Sequence, residues 1–257
     1  MVSRYLQAAL IIPRGRSKRL LALLTGLLAS LAPAIAAAEH SPVLRPYTAQ
    51  YKTTARGFDL SITRTLKAED NDHFVLTNGG KMLVVGFQEI SVFRVEDDRI
   101  RSISYVYQGT GLVSRRQELH FEPEQGRINS LYKEKWYQLP FTDTTLDRMN
   151  QVEQLRLALL GEHAIARDVT LRVADGKRVK DSQLLLIGKE TLQTPMGPVD
   201  TLHYERLHEN AKRKSDLWFA PAWDYLMVRT VHIEDGDPVE MMLTSATIAG
   251  EPVGARR

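Results

Sequence analysis

Apolar and polar residues alternate along most of this 257-residue chain from Tyr47 onward, and this period of two limits its fold more than any other feature. Tyr47, Ala49 and Tyr51 alternate with polar neighbours, as strands do when one face is buried and the other exposed. Turn-forming residues separate the runs, at Asn78-Gly79-Gly80, Asp97-Asp98, Gln125-Gly126, Asp175-Gly176 and Asp235-Gly236. The pattern predicts a mainly β (α+β) fold, an antiparallel meander that forms a curved sheet or open barrel.

A proline-rich segment, residues 194–198, lies between two of these runs. Pro195 and Pro198 have no backbone N–H to donate to a strand ladder, and Gly197 tolerates a positive φ. The segment is therefore predicted to be a turn between a strand through Leu192 and a strand over residues 202–207.

One segment departs from the period of two. Apolar residues recur at helical spacing at Leu146, Met149, Val152, Leu155 and Leu159. Thr144 and Asp147 have the spacing of a capping box, and Gly161 is placed for a C-terminal cap. The sequence thus predicts one main helix at about 144–160, whose apolar stripe packs on the concave side of the sheet.

The first 38 residues have the composition of a secretory signal peptide. They contain five basic and no acidic side chains, followed by an apolar run of 16 residues from Leu20, and small residues at Ala36 and Ala38. A retained membrane anchor is the alternative, but the run is shorter than the roughly 20 residues that span a bilayer. We expect cleavage after Ala38, a periplasmic location, and no integral membrane span in the mature protein. Residues 39–257 would form a single β-rich domain with a frayed tail after residue 249.

Charge and cysteine content exclude several classes of protein function. Without the leader, 29 basic and 31 acidic side chains remain, a formal net charge of −2, so the chain offers no overall positive field for nucleic acid. The chain has no cysteine, which excludes both a thiol nucleophile and the lipid-attachment residue of a bacterial lipoprotein.

Motifs for catalysis are missing from the sequence. There is no Gly-x-Ser-x-Gly elbow, no zinc-type histidine spacing and no phosphate loop. Two carboxylate pairs, Asp97 with Asp98 and Glu122 with Glu124, lie at predicted turns, where acidic residues are common for local reasons. We therefore expect no catalytic residues, no metal and no cofactor, and a binding function in preference to an enzymatic one.

The candidate binding residues are in the C-terminal half: Arg206, Trp218, Trp223 and Arg229. Alternation aligns Arg229 with Met227 and Val231 on one face, which would place a guanidinium among apolar side chains. In one interpretation Arg229 pairs with an acid such as Glu205 or Asp216 and joins adjacent strands. In the other, the two arginines line a pocket and meet an anionic head group, while the tryptophans contact its apolar part.

The chain also resembles a family of exported proteobacterial proteins that is known only as a domain of unknown function. The family pattern of Thr-Pro-x-Gly, a strand ending in Arg, Trp-x-Ala-Pro and Val-Arg is matched by Thr194, Pro195, Gly197, Arg206, Trp218, Ala220, Pro221, Val228 and Arg229. Met227 stands where the family usually has proline. The resemblance spans Tyr47 to about Ala246 and implies, by analogy, the half-barrel of the periplasmic lipoprotein carriers.

These observations predict a periplasmic protein that binds or carries a lipid or another amphipathic cell-envelope component in the concavity of its sheet. An envelope hydrolase whose site converges only in three dimensions is the alternative. A structural module that binds an envelope protein through its sheet edge is a third hypothesis.

Overall fold

The computed structural model describes residues 44–254, except 56–57, 70–71, 83–84, 112–113 and 162–163. Within these ranges the chain forms one α-helix, α1 (Asn150–Leu160), and sixteen strands. The strands are β1 (Tyr47–Ala55), β2 (Phe58–Ala68), β3 (His73–Met82), β4 (Val85–Glu96), β5 (Arg99–Thr110), β6 (Arg115–Glu122), β7 (Arg127–Tyr132), β8 (Lys135–Pro140), β9 (Thr145–Leu146), β10 (Val169–Asp175), β11 (Arg178–Thr194), β12 (Gly197–Arg206), β13 (Arg213–Ala220), β14 (Leu226–Glu234), β15 (Asp237–Ile248) and β16 (Glu251–Pro252). The predicted signal peptide and its cleavage site lie outside the described residues and stay predictions.

The strands form a large, curved, open sheet, which confirms the predicted fold class. The order is β8-β7-β6-β5-β4-β3-β2-β1-β15-β14-β13-β12-β11-β10-β9, with β16 added beside β15. Two meanders therefore run outward from a central ladder between β1 and β15. Neighbouring strands are antiparallel except for β9 and β10, which pair in parallel.

The core lies on the face of the sheet that packs against α1, called the concave face below. Aromatic side chains from distant strands are fully buried there, including Tyr51 of β1, Phe93 of β4 and Phe219 of β13. The alternate residues of the same strands are mostly exposed or half-buried, as the period of two predicts. Burial of this apolar surface supplies the main stabilisation of a domain that has no disulfide.

The helix is shorter than predicted, because its N-terminal cap lies three residues later than the expected one. Asp147 Oδ1 accepts from the backbone N–H groups of Met149 and Asn150, and Asn150 Oδ1 accepts from the N–H of Asp147. This reciprocal pair is a capping box at Asp147 and Asn150, whereas Thr145 is already part of β9. Gly161 does follow the helix, but its φ of −57° is not the left-handed conformation of a glycine cap.

The proline-rich turn is confirmed, and one predicted turn is wrong. Thr194 pairs with Gly197, so Pro195 and Met196 form the tip of the β11–β12 hairpin. Asn78-Gly79-Gly80, in contrast, lies inside β3. A Cβ atom on Gly80 would come within 2.9 Å of the Ser61 carbonyl oxygen, so glycine is needed there for close strand packing and not for a turn.

The tail also differs from the expectation of fraying after residue 249. Residues 251–252 form β16 against Thr247 and Ile248, and the N–H of Val253 donates to the Ala246 carbonyl at 3.0 Å. These bonds hold the chain to the sheet up to Val253.

Candidate functional site

Helix α1 presents charged as well as apolar residues to the concave face. Glu153 is fully buried and lies between two arginines, with Oε2 2.5 Å from Arg156 Nη1 and Oε1 3.1 Å from Arg64 Nη2. The hydroxyl of Tyr47 donates to Glu153 Oε1 at 2.8 Å and accepts from Arg64 Nε at 2.9 Å. Burial alone would raise the pKa of Glu153, but Arg156 and Arg64 outweigh it and hold that pKa below its usual value. This network fixes α1 in the concavity.

The acid that caps α1 is ionised only at a cost. Asp147 is fully buried, and burial raises its pKa to about 6 although Ser91 and the N–H groups of Asn150 and Met149 stabilise its charged form. A folded-state pKa above the unfolded value of 3.8 means that the folded protein binds the proton more tightly. The resulting stabilisation is fully present below about pH 4 and is lost as the pH rises through about 6.

The variant Asp147→Asn tests this pH dependence. Asparagine keeps an oxygen that accepts the two capping N–H groups, but it cannot be ionised. When the pH is lowered from 8 to 4, we expect the free energy of unfolding of the wild type to rise relative to that of the variant. The expected rise is on the order of 3 kcal/mol. Urea unfolding at several pH values measures the difference, and a constant gap between the two proteins would contradict the assignment.

A cavity of about 500 Å³ lies between α1 and the C-terminal half of the sheet. Its lining is mainly apolar and comes from Leu155, Ala158 and Leu159 of α1, Tyr204 of β12, and the segment that leads into β10. Arg167 and Asp168 add charge, and Ile165, which is 81% exposed, marks the opening to solvent. Of its lining residues only Leu155, Leu159 and Tyr204 are buried, so the cavity is a pocket beside α1 that is open to solvent.

Arg206, the last residue of β12, lies on the concave face. It stands opposite Ser215 of β13 and two residues after Tyr204, which lines the cavity. Its Nε atom is buried and has no hydrogen-bond partner among the described residues. Among the four predicted binding residues, Arg206 lies nearest in its strand to a residue that lines the cavity, namely Tyr204.

Trp218 and Arg229 lie together on the opposite, convex face. The Arg229 guanidinium stacks over the Trp218 ring at 4.7 Å, and His203 stacks on the same ring at 4.3 Å. Arg229 also pairs with Glu240 of β15 at 2.8 Å, so the predicted ion pair forms, but with an acid other than Glu205 or Asp216. A β-bulge between the partners of Trp218 and Phe219 shifts the alternation, so Arg229 does not share a face with Met227.

Trp223 lies neither beside the cavity nor with Trp218 and Arg229 on the convex face. It is buried in a 3-10 turn over Pro221–Trp223 that joins β13 to β14. The structure therefore brings Trp218 and Arg229 together, and leaves Arg206 and Trp223 apart from them. A ligand-binding role for the four residues stays a prediction.

Three residues that sequence reasoning did not select converge beside Arg206. Ser215 Oγ lies 2.8 Å from Nε2 of His208 and 2.7 Å from Nδ1 of His232. Burial and the charge of Arg206, followed by His232, lower the pKa of His208. Strand pairing alone would have placed Ser215 opposite both Arg206 and His232, but His208 reaches it from the loop after β12.

A groove of about 530 Å³ crosses the convex face at β6, β7 and β8. Trp136 of β8 lines it and is 58% exposed, and His120 packs against its ring at 5.9 Å. Since β8 ends the strand order, this tryptophan lies at one edge of the sheet.

Two further features are absent from the part of the chain that the structure describes. No group of three His, Cys, Asp or Glu side chains there is arranged to hold a metal ion. No helix in the same part of the chain is long and apolar enough to cross a membrane.

Comparison with known proteins identifies the family. The model of the family described as "Protein of unknown function (DUF3108)" matches residues 46–244, and the chain belongs to this family. The predicted membership of a family of unknown function is thereby confirmed. No curated protein matches the chain.

A solved structure shares the fold, and two others are similar to the chain at lower TM-scores. A β-barrel-like protein of the DUF1849 family from Brucella abortus aligns with a TM-score of 0.52 and 10% identity, over 80% of this chain and 98% of its own. A candidate lipoprotein from Parabacteroides distasonis is 13% identical with a TM-score of 0.31, over 80% and 97% of the two chains. A candidate exported protein with a YmcC-like fold from Bacteroides fragilis is 12% identical with a TM-score of 0.32, over 80% and 96%.

Proposed function

We propose that this chain is a periplasmic protein that binds, and carries, an amphipathic cell-envelope component in the concavity of its sheet. One observation carries the proposal, namely the mainly apolar cavity between α1 and β12 that opens to solvent at Ile165. Its volume of about 500 Å³ lies within the range of roughly 300–1,000 Å³ that is usual for small-molecule sites. An apolar cavity of this size with a charged rim suits a ligand that has an apolar part and a polar end.

Two other features support the proposal. The composition of the first 38 residues favours export, and export would bring the protein into contact with envelope lipids. In addition, the buried network around Glu153 holds α1 to the sheet, so the wall of the cavity is fixed before a ligand arrives. A preformed site loses less entropy on binding than one that must be ordered.

Native mass spectrometry of the protein purified from a periplasmic extract tests the proposal. Any co-purifying molecule is then extracted with solvent and identified by lipid analysis. We expect a stoichiometric amphipathic molecule that is lost from a variant in which the cavity is filled. A co-purifying protein in place of a lipid would favour assembly through the β8 edge at Trp136. A protein that neither retains nor takes up any amphipathic molecule would contradict the proposal.

A hydrolytic function is the second candidate, because one observation favours it. Ser215 Oγ and His232 Nδ1 are 2.7 Å apart, which is the geometry of a serine nucleophile and its base, and Glu234 lies 3.8 Å from His232 Nε2. However, Ser215 is only 6% exposed and lies within a regular strand. Labelling with a fluorophosphonate probe that disappears in Ser215→Ala would favour the hydrolase, whereas equal absence of labelling in both proteins would exclude a reactive serine there.

A further inference from the structure

The concave end around Arg206 carries an unbalanced positive charge. Each neighbouring cation has a carboxylate within 4 Å: Arg148 is 3.3 Å from Glu89, Lys180 is 3.8 Å from Asp175, and Arg213 bonds Glu234. Arg206 has no carboxylate within that distance among the described residues, and its Nε is buried without a partner. The buried arginines Arg64 and Arg156 both reach Glu153. Among the described residues, Arg206 is thus a half-buried arginine of the concave face that has no carboxylate partner.

The electrostatic surroundings of Arg206 agree with this geometry. Burial and the positive charge of Arg148 lower the pKa of Arg206, and Asp175 only partly opposes them. Even a half-buried charge without a partner loses part of its hydration, which is costly in a folded protein. An anion that entered this end of the concavity would remove that cost and gain charge-assisted hydrogen bonds.

The groups beside Arg206 are suited to an oxyanion. A guanidinium offers parallel N–H donors that match two oxygens of a phosphate group. Ser215, opposite Arg206, has its hydroxyl between His208 and His232, so this end also holds imidazole and hydroxyl groups that can donate hydrogen bonds.

The position of Arg206 relates it to the apolar cavity. Tyr204 and Arg206 are two residues apart on one face of β12, which corresponds to about 7 Å along a strand. A molecule whose apolar part lies against Tyr204 therefore has its polar end within reach of Arg206.

We propose that Arg206, together with the His208, Ser215 and His232 cluster, binds a phosphate-type oxyanion that forms the polar end of the amphipathic ligand. The proposal rests on the proposed function for the identity of the ligand, but not for the anion site itself. The oxyanion has two sources, the head group of an anionic phospholipid or free phosphate, and these can be distinguished.

Isothermal titration calorimetry with three probes tests the site: inorganic phosphate, the soluble dihexanoylphosphatidic acid, and its neutral counterpart dihexanoylglycerol. In Arg206→Gln we expect affinity for the anionic lipid to fall at least about tenfold while the neutral lipid binds as before.

Arg101→Gln is the matched control, because Arg101 also has a buried unbonded Nε but lies near Glu96 and Asp143. Because Arg206 lacks a carboxylate partner, Arg206→Gln should fold with unchanged or higher stability, and Arg206→Lys provides a second variant that keeps the charge but loses the paired donors.

The outcomes separate the two proposals. Phosphate binding that disappears in Arg206→Gln supports a free-phosphate site, and binding of the anionic lipid alone assigns the oxyanion to a head group. If the anionic lipid binds equally well to the wild type and Arg206→Gln but is lost when the cavity is filled, the anion site is wrong and the proposed function stands. If neither phosphate nor the anionic lipid binds the wild type, or if Arg229→Gln alone abolishes binding, the site at Arg206 is overturned.

Discussion

Replacing Glu153 with glutamine is expected to lower the free energy of unfolding by about 3–5 kcal/mol. The side chain keeps its size, so no cavity forms, but Arg64 and Arg156 lose the single carboxylate that both contact. Removing one partner of a buried ion pair is far more costly than the net worth of the pair, because the remaining charges stay buried. For a domain of this size the melting temperature should fall by on the order of 10 °C.

Calorimetry or urea unfolding measures the effect, with Glu240→Gln as the matched control. Glu240 also bonds an arginine, Arg229, but on the solvent side of the sheet, where the loss should be about 1 kcal/mol or less. The combined change Arg64→Met, Glu153→Leu and Arg156→Met removes every charge of the network and should be more stable than Glu153→Gln. A Glu153→Gln protein within about 1 kcal/mol of the wild type would show that the network carries no buried charge.

Replacing Ala158 with tryptophan is expected to weaken the binding of an amphipathic ligand by at least about tenfold. Ala158 lines the cavity from α1 and is otherwise exposed, so an indole there can occupy the cavity without displacing core residues. Excluding two or three methylene groups of a ligand costs about 0.8 kcal/mol each, and tenfold in affinity is about 1.4 kcal/mol.

Titration with dihexanoylglycerol and dihexanoylphosphatidic acid checks this prediction, since both ligands have the same acyl chains. Ala68→Trp is the control, because Ala68 is an exposed alanine that does not line the cavity. Equal affinities of Ala158→Trp and the wild type would place the acyl chains elsewhere. An unchanged circular dichroism spectrum and melting temperature in Ala158→Trp would show that the variant keeps its fold.

The sequence predicts the strands well, but it predicts poorly which glycines form turns and where the helix begins. Alternation follows from burial of one sheet face, so it identifies the strands and the hairpin at Pro195 and Met196. It cannot distinguish a glycine that forms a turn from one, like Gly80, whose missing Cβ lets another strand approach. The predicted start of α1 is too early for a related reason, since Thr144 and Asp147 have the same spacing as the actual cap of Asp147 and Asn150.

The candidate site depends on contacts that no local pattern contains. Placing Arg229 on the same face as Met227 assumed a regular strand, and the bulge beside Trp218 and Phe219 invalidates that assumption. Two partners of Glu153, Tyr47 and Arg64, come from β1 and β2, far away in the chain, so helical periodicity shows only that residue 153 lies on α1. Arg206, in contrast, could be chosen from its strand and its charge alone.

The central ladder of the sheet has a consequence for how the chain acquires its structure. Tyr47 of β1 pairs with Ile248 of β15, so the first strand borders the last long one. During synthesis each hairpin of the N-terminal meander can form soon after its residues appear, but one edge of β1 has no partner until β15 is made. That open edge is a site for pairing with other chains, and loop closure over such a separation is slow. Folding of this protein therefore includes an interval in which β1 is especially exposed to aggregation, and truncation anywhere before β15 would make that interval permanent.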